Sequence, residues 1–311
     1  MGKVSVVMPA RNAAATIRDA IESVLASPEV HELIVIDDQS TDMTAARVQE
    51  FGDDRVRIVS GEGKGISAAL NLGFGAANAD YIARCDADDL FPSDRFDWQL
   101  EWLCHHPEFD AVSGGFQSMT ARGKAVAVLA CNGAGREVTE ELRSGRAISH
   151  FCAWLVRRSA LRAVSGARPW FETAEDLDLM YRLAGKGRVW HEPRVAYFYR
   201  LHDASITHST ANNRRIFFEA AASAFAAQRC AKGVDDLDLG RPPELPVADD
   251  RPKISAGQIE GQIIGAIWSE WNLGRRRVAI RKSLASLGLR PASAAIWRTF
   301  AVMMIKYLAR R

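Results

Sequence analysis

Apolar and polar residues alternate between two periods along the first 90 positions. Short β-branched runs predict strands at Val4-Ser5-Val6-Val7-Met8 (stopped by Pro9), Leu33-Ile34-Val35-Ile36, Val56-Arg57-Ile58-Val59 and Tyr81-Ile82-Ala83. Between them, helical spacing predicts a helix from about Ala13 to Ala26, with Ile17, Ile21, Val24 and Leu25 on one face. A second runs from a cap at Thr41 or Asp42 to about Phe51, and a third from Ile66 to Ala77. Such alternation implies an α/β fold with a mostly parallel sheet flanked by helices. Ligands of such sheets bind outside the carboxyl ends of the strands.

The middle of the chain mixes both periods. Strands are expected at Asp110 to Phe116, Phe151 to Val156 and Val195 to Tyr199. A helix is expected from Thr173 to Gly185, with Thr173 as its N-cap, and another from Asn212 to Ala231. A linker at about 233–253 carries Pro242, Pro243, Pro246 and Pro252, and two or three basic helices follow. The organisation expected is an α/β domain over 1–210, in two halves over 1–105 and 106–210. A C-terminal helical region covers 211–311.

Composition changes this picture in two places. The 311 residues carry a net charge of +2, which argues against a nucleic-acid partner. From Trp271 to Arg311, however, there are ten basic residues and no acidic ones, so the rest of the chain is acidic. Basic helices with interleaved Trp297, Phe300, Met303 and Leu308 suit an anionic membrane surface. A helical cap packed on the core and a homodimer interface are the alternatives. The longest apolar candidate, Ala294 to Leu308, is broken by Arg298 and Lys306 and falls short of the roughly 18 residues that span a bilayer. No signal peptide is read at the start, and five cysteines without metal-type pairing fit reduced thiols of a cytoplasmic protein.

The candidate chemistry lies after the strands. Cys85-Asp86-Ala87-Asp88-Asp89-Leu90 gathers three carboxylates, which suit a hard divalent ion that leaves positions open for phosphates. A solvated turn capping a helix at Pro92-Ser93 is the alternative. Asp37 and Asp38 could accept hydrogen bonds from a ribose or a base edge, or simply cap a helix. Asn12 lies near a helix start with free N–H groups. Gly61-Glu62-Gly63-Lys64-Gly65-Ile66-Ser67 is a glycine-rich loop without the Walker ending. Glu175-Asp176 opens a helix, where carboxylates suit the helix dipole and also a general base. Tyr199-Arg200-Leu201-His202 places a cation and an imidazole just after a strand.

Taken in order, Pro9 with Asn12, Asp37-Asp38-Gln39-Ser40-Thr41-Asp42, Gly65 to Gly73, Asp86-Ala87-Asp88-Asp89, Glu175-Asp176 and Tyr199-Arg200-Leu201-His202 resemble the family 2 glycosyltransferases of GT-A fold. The resemblance covers about residues 3 to 208. It implies a nucleotide-diphospho-sugar donor, with UDP preferred, and inversion at the anomeric carbon. It places Pro9, Asn12 and Asp38 around the nucleoside, and Lys64, Asn71 and Arg84 in or near the donor pocket. Asp86 would meet the ribose or sugar, and Arg200 the diphosphate. Asp88 and His202 would hold Mn2+ or Mg2+. Asp176 would be the base, with Glu175 on the acceptor side. The acceptor implied is a glycan or lipid-linked hydroxyl, and the location is cytoplasmic with peripheral contact to the inner face of the cell membrane. The Gln-x-x-Arg-Trp signature of processive synthases is absent, which favours transfer of a single sugar. Two rivals stay open. A sugar-1-phosphate nucleotidyltransferase would want more than Arg11 near its N-terminal loop. A non-catalytic binding subunit would have little use for Asp88, Asp176 and His202 together.

Overall fold

The computed structural model describes residues 2–201, 212–247, 256–272, 274–289 and 291–308. Its first four strands are β1 (Val4–Ala10), β2 (Val30–Asp37), β3 (Val56–Ser60) and β4 (Tyr81–Arg84). Helices α1 (Ile17–Leu25), α2 (Thr44–Gln49) and α3 (Ile66–Ala76) connect them. All four strands pair in parallel in the order β3-β2-β1-β4, so the chain reverses its direction of travel between β1 and β4. That reversal opens a crevice at the carboxyl ends of β1 and β4. Every residue of β1 is buried, which is why it reads as an unbroken apolar run.

Pro9 does not stop β1. It sits inside the strand opposite Ile36 of β2. Its missing N–H falls on the β4 side, and β4 pairs with β1 only as far as Val7. No ladder bond is lost there, so proline is tolerated in a central strand.

The second half contains α4 (Arg95–His105), β5 (Ala111–Thr120), β6 (Ala125–Leu129), β7 (Arg136–Glu137) and α5 (Thr139–Arg143). A 3-10 turn (Phe151–Ala153), β8 (Trp154–Arg157), α6 (Arg158–Ala163), α7 (Glu175–Lys186) and β9 (Val189–Leu201) follow. The sheet continues as β4-β8-β5-β9-β7, with β6 paired to β5. β8 is antiparallel to both β4 and β5, and it fuses the two halves into one sheet. The strand expected from Phe151 instead begins at Trp154. The cause lies on α4: Arg95 donates to the carbonyls of Cys152 and Trp154, both at 2.7 Å, and Gln99 to that of Ala153 at 3.0 Å. Side chains thus satisfy carbonyls that a ladder would otherwise use. β9 is longer than expected, because a bulge at Pro193 and Arg194 lets it pass its proline and keep pairing with β5.

Two apolar clusters cover the faces of the sheet. One joins α1 and α4 to β1, β2 and β5 through residues such as Ile17, Ile21, Leu100 and Leu103. The other joins α3 and α7 to Phe218, Ala222 and Phe225 of α8 (Asn212–Lys232). A third holds α9 (Ala256–Asn272), α10 (Arg276–Leu289) and α11 (Ala294–Leu308) together against Val126 of β6.

Within the expected linker, Asp235 is buried in an ion cluster. Arg168 bonds both Asp178 of α7 and Asp235, Arg182 bonds Asp178 at 2.8 Å, and Arg229 of α8 bonds Asp235. This buried cluster ties α7 to α8 and to the segment carrying Asp235. No described helix is long and apolar enough to cross a membrane.

Candidate active site

The loops after β1, β2 and β4 meet at the crevice. The first two are zipped together by four bonds from backbone N–H groups. Asn12 donates to Ser40 Oγ at 3.0 Å, and Thr41 to Asn12 Oδ1 at 2.8 Å. Ala13 donates to Thr44 Oγ1 at 2.8 Å, and Ala14 to Asp42 Oδ2 at 3.0 Å. These bonds explain why α1 starts at Ile17 rather than Ala13. Asn12 has a left-handed backbone (φ 52°), which asparagine tolerates better than most residues. Asp42, not Thr41, serves the start of α2, accepting from the N–H of Thr44 at 2.9 Å. Thr16 Oγ1 then donates to the Ala87 carbonyl at 2.9 Å and ties this pair of loops to the acidic loop after β4.

Asp38 is buried, and its carboxylate is the anion that the glycine-rich loop wraps. Gly63 N–H donates to Oδ1 at 2.7 Å and Gly65 N–H to Oδ2 at 3.1 Å. Both glycines have left-handed backbones (φ 70° and 86°), the conformation for which glycine is favoured. Lys64, at the tip, is exposed and ion-paired to Glu62. Asn71 of α3 is engaged at both polar atoms by the backbone of Ala167: Nδ2 donates to its carbonyl at 2.7 Å, and Oδ1 accepts from its N–H at 2.8 Å. Asn71, expected in or near the donor pocket, therefore acts here as a brace.

The centre of the site is a buried arginine. Arg84, the last residue of β4, grips Asp86 with Nε at 2.6 Å and Nη2 at 3.2 Å. Its Nη1 reaches Glu175 Oε1 at 2.9 Å. The charges of Asp86, Glu175 and Asp176 hold the guanidinium well above its ordinary value against its burial. Burial pushes the Glu175 carboxyl up to about 7, with Arg84 opposing and Asp176 adding to the shift. Cys152 Sγ touches Asp86 Oδ2 at 3.6 Å, and burial keeps this thiol protonated. The expected N-cap, Thr173, is not at the helix start. Ala174 occupies that position in a left-handed conformation (φ 59°), and no side chain caps α7. Glu175, Asp176 and Asp178 in the first turn complement the helix dipole instead.

Asp89 is the organiser of the acidic loop. It is 1% exposed and accepts from Tyr197 Oη at 2.7 Å and from the Arg200 N–H at 2.5 Å. Burial, then the charges of Asp88 and Asp86, push its carboxyl well up. Arg200, expected at the diphosphate, sends Nε to the Asp88 carbonyl and Nη1 to the Ala121 carbonyl, both at 2.8 Å. It fastens β9 and the β5–β6 turn to the loop that carries Asp88.

Among the described residues, no group of three or more His, Cys, Asp or Glu side chains is arranged to hold a metal. Asp88 offers one half-buried carboxylate beside the crevice. A single carboxylate fits a hard divalent ion that takes its remaining oxygens from a diphosphate and water. His202 lies outside the described residues.

Sequence reasoning missed Thr16, His150, Cys152 and Tyr197. The last three reach the site because β8 runs antiparallel to β4 and β9 runs parallel to β5. The start of β8 and the end of β9 therefore share an edge with Asp86. A rule that looks only at carboxyl ends of parallel strands overlooks His150 and Cys152.

The sequence model of Glycosyl transferase family 2 matches residues 5–165. The chain is 32% identical over 197 residues to a putative glycosyltransferase, EpsE, of Bacillus subtilis, covering 60% of this chain and 68% of that one. It is 36% identical over 102 residues to WfgD of Escherichia coli, a UDP-Glc:α-D-GlcNAc-diphosphoundecaprenol β-1,3-glucosyltransferase, covering 32% of this chain and 40% of that one. The solved structure of Staphylococcus aureus TarS 1-349 in complex with UDP-GlcNAc superposes with a TM-score of 0.60 at 16% identity, covering 99% of this chain and 92% of that one. The family model spans just over half of the chain and the EpsE match covers two thirds of that relative, so the chain belongs to glycosyltransferase family 2.

Proposed function

We propose that the protein is an inverting glycosyltransferase that moves one sugar from a UDP-sugar to a hydroxyl of a glycan or lipid-linked acceptor, in the synthesis of a bacterial polysaccharide, lipopolysaccharide or glycolipid. The observation that carries this reading is buried Arg84, the last residue of β4, which joins Asp86 to Glu175 at the head of α7. This link supports a reading in which Asp86 serves the donor and Asp176, next to Glu175, serves the acceptor hydroxyl. Asn12 and Asp38 line the nucleoside side, and Asp86 meets the ribose or sugar. Asp176 takes the proton of the attacking hydroxyl as the new C–O bond forms and the bond to the diphosphate breaks. Asp88, with His202, would hold Mg2+ or Mn2+, which when bound acts as a Lewis acid toward the leaving phosphate oxygens. The UDP preference is supported by WfgD, named for UDP-Glc, and by TarS, solved with UDP-GlcNAc. A thermal-shift screen of nucleoside diphosphates and their sugars, with and without Mn2+ or Mg2+, tests it. Stabilisation by UDP-sugars is expected, and stabilisation by nucleoside triphosphates alone would turn the reading toward nucleotidyl transfer.

Peripheral membrane contact belongs to the same reading. Trp297, Ile305 and Leu308 of α11 and Leu284 of α10 are each more than half exposed, interleaved with exposed Arg281, Arg298 and Lys306. Such a face suits an anionic lipid surface. Co-sedimentation with anionic but not neutral vesicles, weakened by salt, is the expected result. Equal binding to neither would leave α9–α11 as a packing unit.

A further inference from the structure

The 3-10 turn before β8 packs against β4, β5, β9 and α7, so the residue preceding it sits where all walls of the site converge. That residue is His150. Its half-buried ring lies edge-on to Phe116 of β5, with centroids 4.3 Å apart and planes at 80°. The same ring stacks on Tyr199 of β9 at 5.3 Å and 20°. Two residues further on, Cys152 touches Asp86. The charged groups acting on the ring are Asp176 from α7, Asp86 from the loop after β4 and Arg84 from β4 itself. Among the described residues, nothing hydrogen-bonds either ring nitrogen. The rotamer is thus fixed by two aromatic neighbours while the polar atoms are left for something else.

We infer that His150, clamped between Phe116 and Tyr199, binds the acceptor sugar and holds its attacking hydroxyl against Asp176. This rests on the glycosyl-transfer reading above. Burial holds the imidazole below its ordinary value even though Asp176 and Asp86 pull the other way. At neutral pH the ring is therefore uncharged, with one N–H donor and one lone pair. A sugar hydroxyl is both donor and acceptor and matches that pair. An imidazolium in the same place would instead pair with Asp176 and blunt the base. No proton passes to or from His150: Asp176 takes the hydroxyl proton, and the nucleoside diphosphate leaves with the electron pair of the broken bond.

The test uses the full chain, the donor found by the thermal-shift screen and a panel of sugar hydroxyl acceptors. His150→Phe keeps the aromatic stack and removes both nitrogens; His150→Gln restores a donor and an acceptor. His150→Phe is expected to raise the acceptor KM and lower kcat/KM by about 10- to 100-fold, as loss of a buried hydrogen bond does. Donor affinity, read by UDP titration, should stay unchanged, and His150→Gln should recover part of the loss. The His150 ring, followed by NMR, should titrate below 6.5 and lower still in Asp176→Asn. An unchanged acceptor KM in both variants, or a ring titration indifferent to Asp176→Asn, overturns the inference while leaving the functional reading intact. Absence of transfer by the wild-type protein, with UDP-sugars bound, overturns the functional reading and this inference with it.

Discussion

Arg84 Nη1 lies 2.9 Å from Glu175 Oε1, so the last residue of β4 carries the first residue of the helix that presents Asp176. These two residues are 91 positions apart in the chain. Both are buried, and Arg84 holds Asp86 with its other nitrogens, so one guanidinium serves both carboxylates.

Arg84→Met is expected to strip the cation from Asp86 and Glu175 together. Breaking a buried pair by removing one partner costs about 3–5 kcal/mol. Urea denaturation at pH 7.5 reads that loss, which should shrink toward pH 5 as Glu175 takes up a proton and no longer needs the guanidinium.

Glu175 gives the fold a pH dependence of defined sign. Its carboxyl rises from 4.5 to about 7 on folding. A raised acid favours the folded state fully below its unfolded value, and the benefit is lost as the pH climbs through the folded value. From this carboxyl alone, stability should fall by on the order of 3 kcal/mol between pH 4.5 and 7. Glu175→Gln should flatten that part of the stability profile; a profile identical to wild type would show that the carboxyl is ionised throughout.

Asp176→Asn should leave the helix start intact, since the side-chain oxygen remains and the dipole keeps Glu175 and Asp178. Transfer is expected to fall by about 10²- to 10⁴-fold, the range for loss of a general base. UDP-sugar affinity, measured by calorimetry, should be retained. Retained transfer would reassign the base.

Asp38→Ala removes the acceptor of two part-buried loop N–H groups, each bond worth about 0.5–1.5 kcal/mol. The glycine-rich loop should loosen, read as faster amide exchange at Gly63 and Gly65. Nucleotide affinity should fall along with the melting temperature.

The parallel half of the sheet was legible because β1 and β4 are buried throughout and β2 almost so, while the half-buried edge strand β3 keeps a β-branched run, with helices between them. The candidate residues after β1, β2 and β4 follow from that order. Less legible were features made by side chains reaching across the chain. The turn at Phe151–Ala153 exists because Arg95 and Gln99 take its carbonyls, and no local pattern announces such a theft. Asn71 and Arg200 look like ligand contacts in sequence, yet backbone carbonyls engage them in the fold. β6 and β7 are too short, and too exposed on one side, to show a period. The left-handed Ala174 is hidden as well, since alanine carries no mark of such a backbone.

The ion cluster behind α7 bears on how the protein is cut for study. Asp235 and Arg229 reach α7 through Arg168 and Asp178. Both lie well past the sequence motifs, which end near His202. A fragment stopped at 210 would expose Phe218's pocket on the second core and leave Arg168 and Asp178 half-matched, so a soluble but inactive product would reflect a misaimed helix rather than a missing motif. Boundaries for expression are better set after residue 240, where the cluster is whole.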